Sequence, residues 1–216
     1  MIAIIDYNMG NLRSVEKAIQ VAGGKTRVTS RPGDLRDADK VVLPGVGSFG
    51  AAMAELKRLK LVAPIKESIS EGKPFLGLCL GMQLLFEKSE ESPGVNGLGV
   101  LAGNVRRFKF TNHERRTTND ALKVPHMGWN NIVKSEKRKV KSERILKNVP
   151  DRAYMYFVHS YYVKPKDRDV VLTTTDYGID FVSGVARGNT LGFQFHPEKS
   201  QALGLRILKN FVNLKG

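Results

Sequence analysis

The first eighty residues alternate short apolar runs with amphipathic stretches, and this alternation limits the fold more than any other feature. The apolar runs cover residues 1–6, 27–29, 41–43 and 75–78. Between them, apolar residues recur at helical spacing, as in Leu12, Val15, Ala18, Ile19 and Ala22. Such alternation predicts an α/β fold with an open, mostly parallel or mixed sheet flanked by helices. Active sites of these folds lie beyond the C-terminal ends of the strands.

After residue 92, turn residues become frequent and the apolar runs shorten. We predict an antiparallel or mixed meander, with strands at Gly97–Val105, Asn130–Val133, Tyr154–Val163, Val170–Thr175, Phe181–Arg187 and Leu191–Phe195. A last helix is predicted over Ala202–Leu214. Because the chain shows no repeat and no linker, we expect a single domain over residues 1–216.

The composition and the N-terminal sequence argue against a membrane-spanning protein and against a secreted, disulfide-bonded one. The 216 residues are 41% hydrophobic, and no apolar run is long enough to span a membrane. The N-terminus lacks the features of a signal peptide, and the single cysteine allows no internal disulfide. We therefore expect a cytoplasmic protein.

The net charge of +14 raises the question of a nucleic-acid partner. Basic residues concentrate in Arg106–Arg116 and in Lys134–Lys147. Neither stretch interleaves aromatic residues for base stacking, and neither forms a known nucleic-acid motif. We interpret both as solvated faces or hairpins and expect no nucleic-acid partner.

Cys79 lies where an apolar run meets a helical pattern, in Gly77-Leu78-Cys79-Leu80-Gly81. A strand followed by Gly-x-Cys-x-Gly and a helix is typical of a nucleophile elbow, the sharp turn that presents a catalytic side chain. The glycines have a steric reason, because side chains at Gly77 and Gly81 would collide across such a turn. The simpler interpretation is a buried, inert cysteine.

A cysteine nucleophile needs a base, and the base needs an orienting group. His196 ends an apolar run and is followed by Pro197 and Glu198, so Glu198 can turn back onto the imidazole. His159, in an aromatic run, is the competing base, while His113 lies in a charged stretch and is expected to be solvated.

These segments resemble the class I (triad) glutamine amidotransferases, in which Pro44-Gly45-Val46-Gly47 matches the oxyanion strand. Within that family, the chain is similar to glutaminase subunits of imidazole glycerol phosphate synthases. The blocks that carry this finer similarity are residues 6–14, 44–49, 125–130, 159–161 and 196–200. The resemblance implies a flavodoxin-like fold, no cofactor and no metal.

The resemblance also implies catalytic roles. Cys79 would attack the side-chain amide of glutamine, with His196 as base and acid and Glu198 as its orienter. The backbone N–H of Leu80 and one from the segment of Val46 and Gly47 would bind the oxyanion. The simpler interpretation of residues 44–47 is an ordinary glycine turn.

Substrate binding is assigned in the same way to Gln83, His159, Ser160 and Tyr161. Gln83 could instead be a plain helix-surface residue, and His159 a histidine buried for structural reasons.

The resemblance implies a partner, a cyclase subunit with a (β/α)8 barrel, which would receive the ammonia in a heterodimer. It would form imidazole glycerol phosphate and aminoimidazole carboxamide ribonucleotide in histidine biosynthesis. The candidate docking residues are Asn8, Asn11, Arg13, Trp129 and Lys199. Trp129 could equally be a core aromatic, and Arg13 a solvated residue.

Two other functions stay open at this point. One is a paralogous amidotransferase that supplies ammonia to a different synthase, and the other is a non-enzymatic basic binding protein.

Overall fold

A computed structural model describes residues 1–110, 122–135 and 144–215. The strands of these segments are β1 (Ile2–Ile5), β2 (Thr26–Thr29), β3 (Lys40–Leu43), β4 (Phe75–Leu78), β5 (Lys88–Ser89), β6 (Gly103–Arg107), β7 (His126–Lys134), β8 (Ala153–His159), β9 (Tyr161–Pro165), β10 (Val171–Asp176), β11 (Asp180–Arg187) and β12 (Thr190–Phe193). The α-helices are α1 (Leu12–Val21), α2 (Pro32–Asp37), α3 (Phe49–Arg58), α4 (Val62–Ser70), α5 (Leu80–Gln83) and α6 (Gln201–Val212). None of these helices has the length and hydropathy that crossing a membrane requires.

The strands of the first half form a parallel sheet in the order β2-β1-β3-β4, and β12 joins it beside β4. The pair Leu78 and Phe193 lies at the C-terminal ends of β4 and β12. Each of these two strands is buried along its whole length, as expected of parallel strands covered on both faces. The two chain segments that leave β4 and β12 therefore begin side by side at one edge of the sheet.

The second half adds antiparallel strands in the order β12-β11-β10-β7-β8. A branch of β9, β6 and β5 is attached to β11 through the pairing of Val163 with Val182. The open mixed sheet with an antiparallel meander confirms the predicted fold class.

Two hydrophobic cores cover the two faces of the sheet. Side chains alternate along β1, so Ala3 and Ile5 pack in the core with α3 and α4, whereas Ile2 and Ile4 pack with α1 and α6. At about 25 cal/mol per Å² of apolar surface removed from water, these cores are the main source of stability. They hold the strand ends, and hence the site, in place.

Three predictions of individual elements are wrong in detail. Gly97–Val105 is not one strand, because only Gly103–Arg107 has strand structure. Tyr154–Val163 is two strands that are broken at Ser160. The helical spacing of Met82, Leu85 and Phe86 predicts a longer helix after Cys79, but this helix ends at Gln83 and is a single turn. Helix α2 was not predicted.

Part of the basic sequence lies outside the described residues. This applies to His113 and to much of the stretches Arg106–Arg116 and Lys134–Lys147.

Candidate active site

Cys79 occupies a sharp turn between β4 and α5. Its backbone has φ 51° and ψ −109°, a conformation that a residue with a side chain rarely adopts. The N–H of Cys79 donates to the carbonyl oxygen of Phe193 on β12, at 2.7 Å. A Cβ atom on Gly81 would collide with the carbonyl oxygen of Leu43, and one on Gly77 with that of Gly81. The chain thus has the elbow geometry that the glycine spacing predicts.

His196 and Glu198 follow β12 and lie beside the elbow. Nδ1 of His196 is 2.8 Å from Oε1 of Glu198, and the two side chains are only 5% and 2% exposed. Pro197–Lys199 forms a 3-10 turn, which brings the carboxylate back onto the ring. The other ring nitrogen, Nε2, is buried and has no hydrogen-bond partner among the described residues. It is available to a group bound next to Cys79.

The environment of His196 favours its charged form. Burial by itself lowers the pKa of His196, but the interactions with Cys79 and Glu198 raise it to about 10. The imidazole is therefore protonated at neutral pH, and a cation beside a thiol stabilises the thiolate.

A cavity of about 320 Å³ opens at the elbow. Nine of the residues with predicted roles in catalysis or substrate binding line it: Val46, Gly47, Cys79, Leu80, Gln83, His159, Ser160, Tyr161 and His196. Glu198 is absent from this lining, as expected of a residue that acts through His196. The sequence assigned no site role to Glu91, Pro125 or Val158, which also line the cavity.

The segment after β3 forms one wall of this cavity. The Tyr7 hydroxyl donates to the carbonyl oxygen of Pro44 at 2.8 Å, and Gly47 has φ +92°. The N–H groups of Gly47 and Leu80 donate no hydrogen bond within the described parts of the chain. Backbone donors without a protein acceptor, next to a nucleophile, are suited to an oxyanion.

Glu91 lies on this wall because its carboxylate caps the N-terminus of α3. Its Oε2 atom accepts the N–H of Phe49 at 2.7 Å, and Ser92 Oγ accepts that of Gly50 at 2.9 Å. Ser48 occupies the N-cap position of the helix, but its side chain makes no capping bond. Residues distant in sequence therefore supply the cap, which no local sequence signal indicates.

Two buried glutamines connect the cavity to the sulfur atom. Nε2 of Gln83 donates to the carbonyl oxygen of Tyr161 and to Oε1 of Gln194, both at 3.0 Å. Nε2 of Gln194 lies 3.6 Å from Sγ of Cys79. Gln194 had no predicted role, because a polar residue within an apolar strand pattern gives no indication of what it contacts.

The competing base, His159, has both ring nitrogens occupied. Its Nδ1 donates to the carbonyl oxygen of Tyr161 at 2.8 Å, and its Nε2 lies 3.0 Å from Nδ1 of His126. Burial lowers the pKa of His159 to about 3 and that of His126 to about 4. Both rings are therefore neutral at pH 7, and the geometry favours His196 as the base.

The candidate docking residues lie around the site. Asn11 and Arg13 line a groove of about 750 Å³ together with Glu198 and Gln201. Gln201 also lines a second groove, next to Trp129. The two grooves therefore adjoin each other at Gln201, next to Glu198.

Trp129 is not a core residue, since 46% of it is exposed. Tyr154 and Met127 are 59% and 62% exposed, and the Lys199 ammonium lies 5.8 Å from the centre of the Tyr156 ring. Asn8 is held by a hydrogen bond from Nδ2 to Glu55 Oε2, at 2.8 Å. Trp129, Tyr154 and Met127, here called the apolar patch, form the kind of exposed surface that marks interaction sites.

Comparison with solved structures shows the same fold. A structure described as a glutamine amidotransferase matches with a TM-score of 0.71 at 17% identity, covering 98% of this chain and 99% of the other. A structure described as PurLQS from Thermotoga maritima matches with a TM-score of 0.71 at 18% identity, covering 98% and 97%.

Comparison of sequences is more specific. The family model "Glutamine amidotransferase class-I" matches residues 3–214. Proteins named imidazole glycerol phosphate synthase subunit HisH are 50% identical in Geobacter metallireducens, over 98% of this chain and 97% of the relative, and 47% identical in Moorella thermoacetica, over 99% and 94%. The protein of that name in Methanocaldococcus jannaschii is 45% identical, over 99% of this chain and 100% of the relative. The chain belongs to the class I glutamine amidotransferases, among the HisH subunits of imidazole glycerol phosphate synthase.

Proposed function

We propose that this chain is the glutaminase subunit of an imidazole glycerol phosphate synthase. One observation carries the proposal: a strained cysteine and a buried His196–Glu198 pair meet at the edge of a cavity that is large enough for an amino acid. The names of the relatives supply the pathway. The proposal treats residues 1–216 as a single catalytic domain that acts in the cytoplasm, where its thiol stays reduced.

The proposed reaction hydrolyses glutamine through a thioester. The Cys79 thiolate attacks the side-chain amide carbon, and the N–H groups of Leu80 and of the Val46–Gly47 segment bind the oxyanion. His196 gives its proton to the departing nitrogen, which leaves as ammonia. Water then attacks the thioester with His196 as base, the carbon–sulfur bond breaks, and glutamate and the Cys79 thiolate are released.

The remaining cavity residues would hold the substrate. Gln83 has both amide protons engaged, so its Oε1 atom is the part available to a substrate N–H group. The carboxylate of Glu91 suits the α-ammonium group of glutamine. Ser160 and Tyr161 would contribute backbone contacts, and His159 would hold the carbonyl group of Tyr161 in position.

Ammonia must remain unprotonated to act as a nucleophile, which favours direct transfer to a second active site. We assign the acceptor reaction to a cyclase subunit with a (β/α)8 barrel, bound in a heterodimer through Asn8, Asn11, Arg13, Trp129 and Lys199. The cyclase would form imidazole glycerol phosphate and aminoimidazole carboxamide ribonucleotide.

The test is glutamate release from glutamine by this chain mixed with the cyclase and its ligand. We expect Cys79→Ala to lower the rate by about 10³-fold or more, because no other group can form the thioester. Ser70→Ala, at an exposed position of α4, is the matched control and should keep full activity. Glutaminase activity in a folded Cys79→Ala protein would refute the mechanism. Activity that the cyclase and its ligand do not stimulate would instead point to another synthase as the partner.

A further inference from the structure

Gln194 is a fully buried polar residue that contacts the nucleophile. It lies just beyond β12, next to Phe193 and Phe195, and is 0% exposed. Its backbone N–H donates to the carbonyl oxygen of Ser183 at 2.9 Å, which fixes the main chain. Its side chain crosses to the elbow, where Nε2 lies 3.6 Å from Sγ of Cys79. Burial of an amide among aromatic rings is costly unless both of its ends are bonded.

The orientation of the Gln194 amide is fixed by its other partner. Oε1 accepts a hydrogen bond from Nε2 of Gln83 at 3.0 Å. The second amide proton of Gln83 goes to the carbonyl oxygen of Tyr161. Because Gln83 has only donors to offer in this direction, Gln194 must present its oxygen to Gln83 and its N–H to the sulfur.

The sulfur atom has two different partners for its two protonation states. The carbonyl oxygen of Val158 lies 3.8 Å from Sγ and can accept a bond only from the neutral thiol. The Gln194 N–H can donate to a thiolate, and hydrogen bonds to a charged acceptor are stronger than neutral ones. The balance between these partners therefore favours the thiolate.

We propose that Gln194 is a further catalytic residue of this reaction, a neutral donor that holds the Cys79 thiolate. This inference rests on the proposed role of Cys79 as nucleophile. His196 gives up its proton when ammonia departs and takes one from the attacking water, so the charge that it offers to the sulfur changes during the reaction. Gln194 keeps its proton throughout. It is in place when the thioester breaks and the sulfur leaves as a thiolate.

Alkylation of the thiol tests this role without any glutamine. The chain has one cysteine, so the mass gained from iodoacetamide reports on Cys79 alone. The charged or titratable groups that act on this sulfur are His196 with its partner Glu198, and Tyr7. His159 and Glu91 share its cavity. All of these groups stay unchanged when Gln194 is replaced.

In Gln194→Leu we expect the pH of half-maximal alkylation to rise by about one unit, which corresponds to a tenfold loss of thiolate at a given pH. Glutaminase kcat should fall by about tenfold, and KM should rise as well, because Gln83 loses one of the two acceptors that hold its amide in place for the substrate. Thr173→Val is the matched control. It removes the buried hydrogen bond between Thr173 and Ser183, at 3.0 Å, without contact to the sulfur, and it should alkylate like the parent.

If Gln194→Leu does not fold, Gln83→Leu serves instead, since it leaves Gln194 in place but frees its amide to rotate. A smaller rise in the same alkylation pH is expected. An unchanged alkylation profile in a folded variant would overturn the role of Gln194. Absence of glutaminase activity in the parent protein would instead count against the proposed function, since alkylation does not depend on it.

Discussion

At the scale of single residues, Tyr7 shows how one hydroxyl can shape the site. It is fully buried, and its hydroxyl donates to the carbonyl oxygen of Pro44, at the start of the segment that bears the proposed oxyanion donors. Burial, and then the negative charge of Cys79, raise the pKa of Tyr7 well above its usual value. The hydroxyl therefore stays protonated and remains a donor.

Replacement of Tyr7 by Phe removes this bond and keeps the ring. We expect kcat for glutamine hydrolysis to fall by about tenfold, because residues 44–47 lose an anchor next to the oxyanion. The unfolding free energy should drop by about 1 kcal/mol. Both are measurable by glutamate release and by urea unfolding.

Tyr177→Phe provides the control. It also loses hydroxyl bonds, one donated to the carbonyl oxygen of Lys123 at 3.0 Å and one accepted from its N–H at 3.3 Å, but Tyr177 does not line the cavity. Equal kcat in the two variants would show that the Tyr7 bond has no effect on catalysis.

At the scale of elements, strands β7 and β8 place two neutral histidines behind the cavity. His126 and His159 are paired across these strands, and their ring nitrogens are 3.0 Å apart. Since His159 Nδ1 donates to Tyr161, its Nε2 must accept from Nδ1 of His126. His126 Nε2 then accepts from Asn130, at 3.3 Å. A proton added to either ring would remove one of these acceptors.

This pair should make the fold sensitive to acid. The folded-state pKa values of about 4 and about 3 lie below that of an unfolded histidine. The unfolded chain therefore takes up protons first as the pH falls, and stability is lost below about pH 6.5. Between pH 7 and pH 5 the loss should be about 2 kcal/mol for each histidine. His196 offsets only a small part of this loss, because the stability that its raised pKa contributes is nearly complete at pH 6.5 and declines as the pH rises from there towards 10.

His126→Asn tests this prediction, because the amide can donate from the position of Nδ1 but does not titrate. We expect the fall in unfolding free energy between pH 7 and pH 5 to be about half that of the parent, as measured by urea unfolding at each pH. A fall as large as that of the parent would mean that the pair does not control acid stability.

Some of the strands and helices could be predicted from the sequence, and others could not. The strands and helices up to Cys79 follow from periodicity, except for the short helix α2. The strand predicted over Gly97–Val105 fails for a physical reason. Leu98 and Leu101 donate to the carbonyl oxygens of Leu84 and Leu85, so this segment bonds to the exit of α5 rather than to the sheet. Its apolar composition shows that it is buried, but cannot show what it bonds to.

At the scale of the whole molecule, the apolar patch of Trp129, Tyr154 and Met127 lies on the outer face of the β7–β8 pair. Alternation along the strands puts their neighbours Phe157 and Met155 into the core. The patch continues past Lys199 towards the groove that holds Arg13 and Glu198. An aromatic surface this close to Glu198 is well placed to dock the proposed cyclase subunit.

Trp129→Ala should weaken binding of the cyclase by about 30-fold or more, because exposed tryptophans at the centre of an interface contribute about 2 kcal/mol or more. Titration calorimetry with the cyclase would measure this change. Lys66→Ala, in a groove lined by α4 and the start of β12, is the control and should bind normally. Unchanged affinity in Trp129→Ala would place the interface elsewhere.

Only part of the candidate site could be predicted, because some of its residues lie in short sequence motifs whereas others depend on partners that are distant in sequence. Cys79, His196 and Glu198 lie at strand ends within short motifs, so their chemistry can be read locally. Glu91, Gln194 and Tyr7 act through partners between 37 and 115 positions away in the chain. Only the folded sheet brings such pairs together.

The pairing of β12 with β4 also has a consequence for how the enzyme is made. The proposed nucleophile, Cys79, is synthesised more than a hundred residues before its proposed base, His196, and the two meet only when β12 inserts between β4 and β11. A nascent chain that has emerged as far as β11 therefore carries Cys79 without a proton acceptor, and β4 has an unpaired edge. Glutamine hydrolysis cannot begin on the ribosome before residues 190–198 emerge. A chain truncated before these residues would contain the Cys79 thiol but would not hydrolyse glutamine.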